Sequence, residues 1–452
     1  MVKNSFSVII TKKIKNYNKQ IVIDSDKSIS IRSFLIGAIS LGISEVKNVL
    51  ESEDVLSTIA CLKNLGVKII KKKPKHYFVY GKGLGSLVIK KNTTLNCGNS
   101  GTLARLLIGL LTSNPKIEVK LKGDHSLNKR SMSKVINLMK EFGATFYPNN
   151  KNSFPLKIVS SEMPVGINYK SGVSAQLKSA VILAGLNSYG VTNIFEEKKS
   201  RNPTENMILQ NSNVIKIKKN KKKQNIIKIY GKQYLKPFKI NVPGDPSSAA
   251  FFTALTLLNK NNLLMIKNVG LNARRAGFYK LLKKHGAYIK FKNVKKINNE
   301  IIGDVVVKSS KLKPLKVSSE YYVSATDEYP ILFVIAALTT GVSNFKGIKD
   351  LANKESNRII EMQNIFKQIG VKCKSNKDQM IIYGTNKLKN NKSVINVSNL
   401  GDHRICMSTA ILSLTTGIKS KIKNFETVYT SSPSFLKTIK LLGGKYEVKK
   451  TS

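Results

Sequence analysis

Tryptophan is absent from this chain, cysteine and histidine occur four times each, and only 26 of the 452 residues are acidic. The cysteines (Cys61, Cys97, Cys373 and Cys406) are scattered with no CxxC pair, which argues against a zinc ribbon or a disulfide scaffold. Long apolar runs are also missing. The cleanest, Leu106–Leu111 and Ile331–Leu338, fall far short of the ~20 residues that a membrane span needs. The lysine-bearing start has no apolar stretch followed by a small-residue cleavage site, so a cytoplasmic location without membrane association is expected. At roughly 150 residues per domain, the length allows two or three domains with ample core.

Arginine is the most informative scarcity. The chain carries a formal charge of +51 from 77 basic residues, of which only eight are arginine: Arg32, Arg105, Arg130, Arg201, Arg274, Arg275, Arg358 and Arg404. Abundant Lys, Asn and Ile look like drift under AT-rich codon usage. An arginine retained in such a background marks a place where lysine cannot serve, namely a planar, bidentate grip on carboxylate or phosphate. The positive charge is spread along both halves and aromatics make up 7%, so nucleic acid is not expected as the main partner. The one dense block, Lys216–Lys223, reads as a solvated loop or hairpin. A small, highly anionic substrate fits better.

A repeat precedes any motif. An amphipathic helical stretch ends in Gly plus a small apolar residue and passes into a β-rich run at Leu65-Gly66-Val67, Phe142-Gly143-Ala144, His285-Gly286-Ala287 and Ile369-Gly370-Val371. Weaker copies stand near Asn213-Val214 and Gly443-Gly444, at intervals of about 70 to 84 residues. Glycine supplies a left-handed helix cap, and the β-branched run after it a strand. Six α/β units of this length arrange most simply as two domains of three. Turn-rich segments at Asp24-Ser25-Asp26 and Val242–Pro246 predict two chain crossings, with domains 1–25 plus 243–452 and 26–242 and a cleft between them.

Polar segments punctuate these units. Asp26-Lys27-Ser28 leads with Arg32 into an apolar helix, offering cations to an anion at its N-terminus. Asn96–Thr102, with Gly98, Asn99 and Gly101, lets backbone N–H groups approach a ligand before the Leu103–Leu111 helix with Arg105; as a plain turn it would have Thr102 as the helix cap. Gly123–Arg130 is a polar loop ending in two cations. Ser171–Gln176 opens a further helix, and Ser200–Glu205 is a polar turn. Thr326-Asp327-Glu328 precedes a buried helix, where its carboxylates serve as caps or as a base. Lys354–Arg358 alternates charges at helical spacing, and Asp402-His403-Arg404 opens a helix of small residues.

Together and in this order, DKSISIR (26–32), GNSGTLAR (98–105), GDHSLNKR (123–130), SAQLKSA (174–180), SRNPTE (200–205), PGDPSSAAF (243–251), DEYP (327–330), KESNR (354–358) and DHR (402–404) resemble the EPSP synthase family of enolpyruvyl transferases. SAQ with DEYP is similar to its class II branch. The resemblance implies a two-domain inside-out α/β barrel of six βαβαββ units, with the enolpyruvyl group of phosphoenolpyruvate passing to the 5-hydroxyl of shikimate 3-phosphate by addition and elimination. It implies no cofactor, no metal and a monomer. By the same resemblance, Ser28, Arg32, Ser174, Ala175 and Arg201 would hold shikimate 3-phosphate together with Gln176, Asp327 and Lys354, with Lys27 between both substrates. Gly101, Arg130, Gln176, Arg358 and Arg404 would grip phosphoenolpyruvate. Asp327 would be the base at the 5-hydroxyl, Lys354 and Glu355 the proton-transfer groups, and Asn99, Thr102, Arg105 and His403 the supporting side chains.

Some positions depart from the family pattern. Asp24-Ser25 stands where Pro-Gly is usual, Ile31 where a histidine is common, Ser131 where proline is usual, and Thr430 where some members carry lysine. The first puts hinge geometry in question more than chemistry. Two rival readings are a sister transferase acting on a UDP-amino sugar and a basic nucleic-acid-binding protein. The sister branch uses a loop cysteine, and Gly123–Arg130 contains none.

Overall fold

A computed structural model of the chain describes residues 5–90, 92–211, 213–220, 224–385, 388, 394–398 and 400–450. It divides into two compact units, Ser25–Val242 with Lys296–Glu300, and Met1–Asp24 with Pro243–Lys295 and Ile301–Ser452. Each has its own apolar core.

The centre of each unit is set by helices that are buried along most of their length, with apolar residues on most sides and no broad solvated face. In the unit built on Ser25–Val242 these are Lys27–Ile39, Gly101–Thr112 and Ala175–Leu186, the last buried at every position from Lys178 onward. Fully burying each Leu, Ile or Phe contributes about 1.5–3 kcal/mol. Two of these helices touch backbone to backbone at Gly109, where a Cβ would lie 2.5 Å from the Ala180 carbonyl oxygen. The other unit repeats the plan with Pro246–Leu258, Tyr329–Ala337 and His403–Thr416. Amphipathic helices accompany them; Glu53–Asn64 buries Val55, Ile59 and Leu62 and exposes its lysine.

Six four-stranded sheets share one order. In Thr94–Asn96, Glu118–Lys122, Leu156–Val159 and Thr145–Tyr147, the first pair is parallel and the rest antiparallel. With the intervening helices this is a βαβαββ unit. The predicted glycine caps at Gly66, Gly143, Gly286 and Gly370 all have positive φ, between 73° and 96°, and each follows a helix. The lysine block forms part of a hairpin, Ile215–Lys219 against Asn225–Tyr230, with residues 221–223 outside the described residues.

Three strands break the sequential order. Lys239–Asn241 supplies the parallel edge beside Leu41–Lys47. Asn18–Val22 lies parallel to Leu263–Gly270, and Phe6–Ile10 is inserted between Lys419–Ile422 and Glu447–Lys450. The departure at Asp24-Ser25 gains a physical account here. Asp24 is buried, and its Oδ2 accepts hydrogen bonds from Ser432 Oγ at 2.7 Å and Ser434 N at 3.0 Å, while its carbonyl accepts from Asp245 N. A carboxylate thus ties down the chain where the family pattern has a rigid turn. Asp24→Ala leaves those donors unmet, and thermal unfolding should show a loss of about 1–3 kcal/mol.

Candidate active site

The predicted residues fall into two groups, one in each unit. In the first, three buried helices begin side by side. Their N-caps are Asp26, Ser100 and Ser174, each accepting from a backbone N–H one turn on. Ser100, not Thr102, is therefore the cap of the glycine-rich turn, which frees the Thr102 hydroxyl to accept from Gln176 Nε2 at 3.0 Å. Arg105 Nη1 donates to Gln176 Oε1 at 2.9 Å and to the Gly101 carbonyl at 3.1 Å. A Cβ on Gly101 would stand 2.9 Å from Arg105 Nη1 and 3.1 Å from Arg130 Nη1, so two guanidiniums crowd the space above that glycine.

Arg32 is buried and held in plane. Its Nε donates to Thr204 Oγ1 at 2.8 Å, Nη1 to Ser28 Oγ at 2.5 Å and Nη2 to Ser179 Oγ at 3.1 Å. Lys27 pairs with Asp54 Oδ2 at 2.9 Å, a partner with no local signal because Glu53-Asp54 reads as ordinary first-turn acids. Arg130 reaches Asn99 Oδ1 and Ser126 Oγ at 3.4 and 3.5 Å, and Asn99 in turn donates to Asp124. Ala175 opens its helix, and Arg201 lies half-buried in the segment before the Pro203–Ile208 helix. Lys27, Ser28, Gly101, Arg105, Arg130, Ser174 and Gln176 thus cluster at the positive ends of three helices, a setting that favours anions.

The second group follows the same logic. Asp245, Glu328 and Asp402 stand at the heads of three buried helices. The Lys354–Arg358 segment is not the surface helix its spacing suggests, because the helix begins only at Arg358. Residues 354–357 instead fold back so that Glu355 Oε2 accepts from Arg358 Nη2 at 2.6 Å. Arg358, 1% exposed, also donates through Nε to Asp402 Oδ2 at 2.9 Å. Burial pulls the Arg358 pKa down, but Asp402 and Glu355 outweigh it, with a contribution from Asp327, and the net shift is upward. Asp327 sits half-buried in the turn Thr326–Glu328, and it also acts on Tyr322, whose phenol is raised mainly by burial, then by Asp350 and Asp327. The Glu328 side chain does not cap its helix but accepts from Ser247 Oγ. His403 is buried in the first turn after Asp402, and Lys354 is half-buried.

Arg404 is the decisive side chain. It is buried over the Phe251 ring, 5.8 Å from its centre, and among the described residues its Nε and Nη1 have no hydrogen-bond partner; neither does Arg358 Nη1. Buried guanidinium donors are seldom left so, and an anionic ligand would satisfy them.

A sequence profile of EPSP synthase (3-phosphoshikimate 1-carboxyvinyltransferase) matches residues 11–439. The chain belongs to the EPSP synthase family. It is similar to the 3-phosphoshikimate 1-carboxyvinyltransferase of Zymomonas mobilis, with 36% identity over 97% of both chains. A Thermoanaerobacter relative of the same name is 39% identical, covering 95% of this chain and 99% of its own. The EPSP synthase structure from Acinetobacter baumannii superposes with a TM-score of 0.84 at 32% identity, over 98% of this chain and all of that one. The six-unit enolpyruvyl transferase fold expected from the sequence is the one found. Among the described residues, no helix is long and apolar enough to cross a membrane.

The two remaining arginines lie outside the predicted motifs, and one of them has a structural use: Arg275 Nη2 donates to Asp245 Oδ1 and Ser247 Oγ, both at 3.2 Å, bracing the PGDPSS segment.

Proposed function

We propose that this chain transfers the enolpyruvyl group of phosphoenolpyruvate to the 5-hydroxyl of shikimate 3-phosphate and releases phosphate. The observation that carries this reading is the pair Arg358 and Arg404, buried with donors left over for an anion, on a chain that matches the family over nearly its whole length. In this assignment Arg404, Arg358, Arg130, Gly101 and Gln176 take the phosphate and carboxylate of phosphoenolpyruvate. Arg32, Ser28, Ser174, Ala175 and Arg201 hold shikimate 3-phosphate, and Lys27 serves both. The proposed domains are 1–25 plus 243–452 and 26–242, and each carries one of the two groups of residues described above.

The chemistry follows from those roles. C3 of phosphoenolpyruvate takes a proton from Glu355 or Lys354 as the 5-hydroxyl attacks C2 and gives its proton to Asp327. The tetrahedral adduct then expels phosphate as the group that protonated C3 takes a C3 proton back, which restores the C2–C3 double bond and leaves the enol ether. Fixed guanidiniums and helix N-termini stabilise charge where it develops. Such steps need only proton transfer and charge stabilisation, so no cofactor is assigned; a cytoplasmic monomer with nucleic acid in no main role completes the proposal by family resemblance.

The deciding assay measures phosphate release from phosphoenolpyruvate with shikimate 3-phosphate and, separately, with a UDP-amino sugar. Release with the first alone supports the reading. Folded protein silent with both acceptors refutes it. Arg404→Lys should raise the KM for phosphoenolpyruvate about 10–100-fold with little change in the melting temperature, because a point charge cannot replace a planar fork over Phe251.

A further inference from the structure

The helix that opens with Ser174 carries a lysine with no place in the assigned chemistry. Lys178 is completely buried, and its Nζ lies 2.6 Å from Glu196 Oε1 and 2.6 Å from Glu205 Oε1. Both glutamates are buried as well, at 1% and 0% exposure. A buried ion triad is expensive to desolvate, and a well-packed apolar side chain would serve packing alone at least as well. Its location suggests what the charges achieve.

Glu196 ends the Val191–Glu196 strand, and Glu205 lies in the first turn of the Pro203–Ile208 helix. Between them, residues 197–202 form neither helix nor strand, and Arg201 lies in that stretch. A single ammonium therefore grips both ends of the loop that carries Arg201. The two carboxylate oxygens it touches can be no farther apart than twice 2.6 Å. Without the cation between them, two carboxylates at that range repel. Glu196 extends the grip inward, accepting from Ser200 N at 3.1 Å and, on Oε2, from Asn225 Nδ2 at 2.7 Å.

The same turn of helix also reaches Arg32. Ser179, next to Lys178, bonds Thr204, next to Glu205, at 2.7 Å, and these two hydroxyls accept from Arg32 Nη2 and Nε. Two adjacent rungs, Lys178–Glu205 and Ser179–Thr204, thus join the helix of Ser174 to the segment of Arg201 and fix the plane of Arg32. Lys178 N also donates to the Ser174 carbonyl, so the clamp lies one turn from the helix mouth.

We propose that Lys178 is a positioning residue for shikimate 3-phosphate: it closes the Arg201 loop and registers it against Ser174 and Arg32. The inference rests on the assignment of those three residues to that substrate. Misplacing a binding group by about 1 Å can cost on the order of 10²-fold, so the effect should fall on that substrate's affinity.

The test compares wild type with Glu205→Gln and Lys178→Met. It measures shikimate 3-phosphate binding by calorimetry, the KM of each substrate, and thermal unfolding. Glu205→Gln is nearly isosteric and keeps one ion pair. It should fold, weaken shikimate 3-phosphate binding about tenfold, and raise the KM for that substrate well beyond the KM for phosphoenolpyruvate. Lys178→Met should weaken binding about 100-fold where it folds; where it does not, Glu205→Gln decides. A Glu205→Gln variant with a lowered melting temperature but wild-type affinity overturns the clamp, as does an equal rise in both KM values. Wild-type protein that binds no shikimate 3-phosphate overturns the proposed function and the clamp with it. Binding by wild type, undiminished in the variants, overturns the clamp alone.

Discussion

Asp327→Asn is expected to lower kcat by about 10²–10⁴-fold while leaving the KM of both substrates within about threefold. The amide matches the carboxylate in shape but cannot take a proton, so it removes the step and spares the site. Asp327 lies in a tight turn and close enough to Arg358 to help hold that guanidinium charged. Burial and the Asp402 and Glu355 carboxylates set most of the Arg358 shift, so neutralising Asp327 should leave the arginine in place. This separation makes the measurement informative. A large fall in kcat with flat KM marks a group acting only in the transition state. A rise in KM at constant kcat would assign Asp327 to ground-state binding. A variant with wild-type kcat would move the base to another carboxylate, Glu355 being the carboxylate among the assigned proton-transfer groups.

The sequence carries the periodic and local parts of this architecture, and the reason is geometric. A glycine after a helix declares itself because only a residue tolerant of positive φ fits there, and Gly66, Gly143, Gly286 and Gly370 adopt it. Helix mouths are legible to within a residue or two, since Ser174 and Asp402 cap within three residues of what they cap, but at the glycine-rich turn the cap is Ser100 and not the expected Thr102. Partnerships across the chain leave no such trace. Asp54 lies 27 positions from Lys27, and Asp402 lies 44 from Arg358. Nothing local distinguishes those acids from surface ones. Lys178 is hidden differently: in a chain this rich in lysine, one more looks like drift, and only its zero exposure between two carboxylates sets it apart. Spacing misleads outright at Lys354–Arg358, where i, i+3 charges suggest a solvated helix. The Glu355–Arg358 pair does form, but across a bend that turns the arginine inward.

That inward turn makes Arg358→Gln the variant with the greatest expected cost to the fold. Among the described residues, Arg358 is the one cation paired with Asp402, a residue with no exposure, and it also holds Glu355. Removing the guanidinium leaves a buried carboxylate uncompensated, a change that typically costs about 3–5 kcal/mol. The loss should register as a markedly lower denaturation midpoint. A cation whose pKa is raised on folding contributes fully below its unfolded value, and that contribution fades only as pH climbs through the folded one. For this arginine both values lie above the working range, so the wild-type pair stabilises evenly across neutral pH. Activity should fall too, through the lost grip on phosphoenolpyruvate, and a second variant separates the two effects. Arg358→Met combined with Asp402→Asn removes the charge on both sides, and should recover much of the stability while phosphoenolpyruvate binding stays weak. Asn also keeps an oxygen to accept from the Arg404 N–H at the head of its helix, so the double change spares that cap. If the double variant regained stability and binding together, Arg358 would be a structural counterion alone, and the anion grip would rest on Arg404 and Arg130.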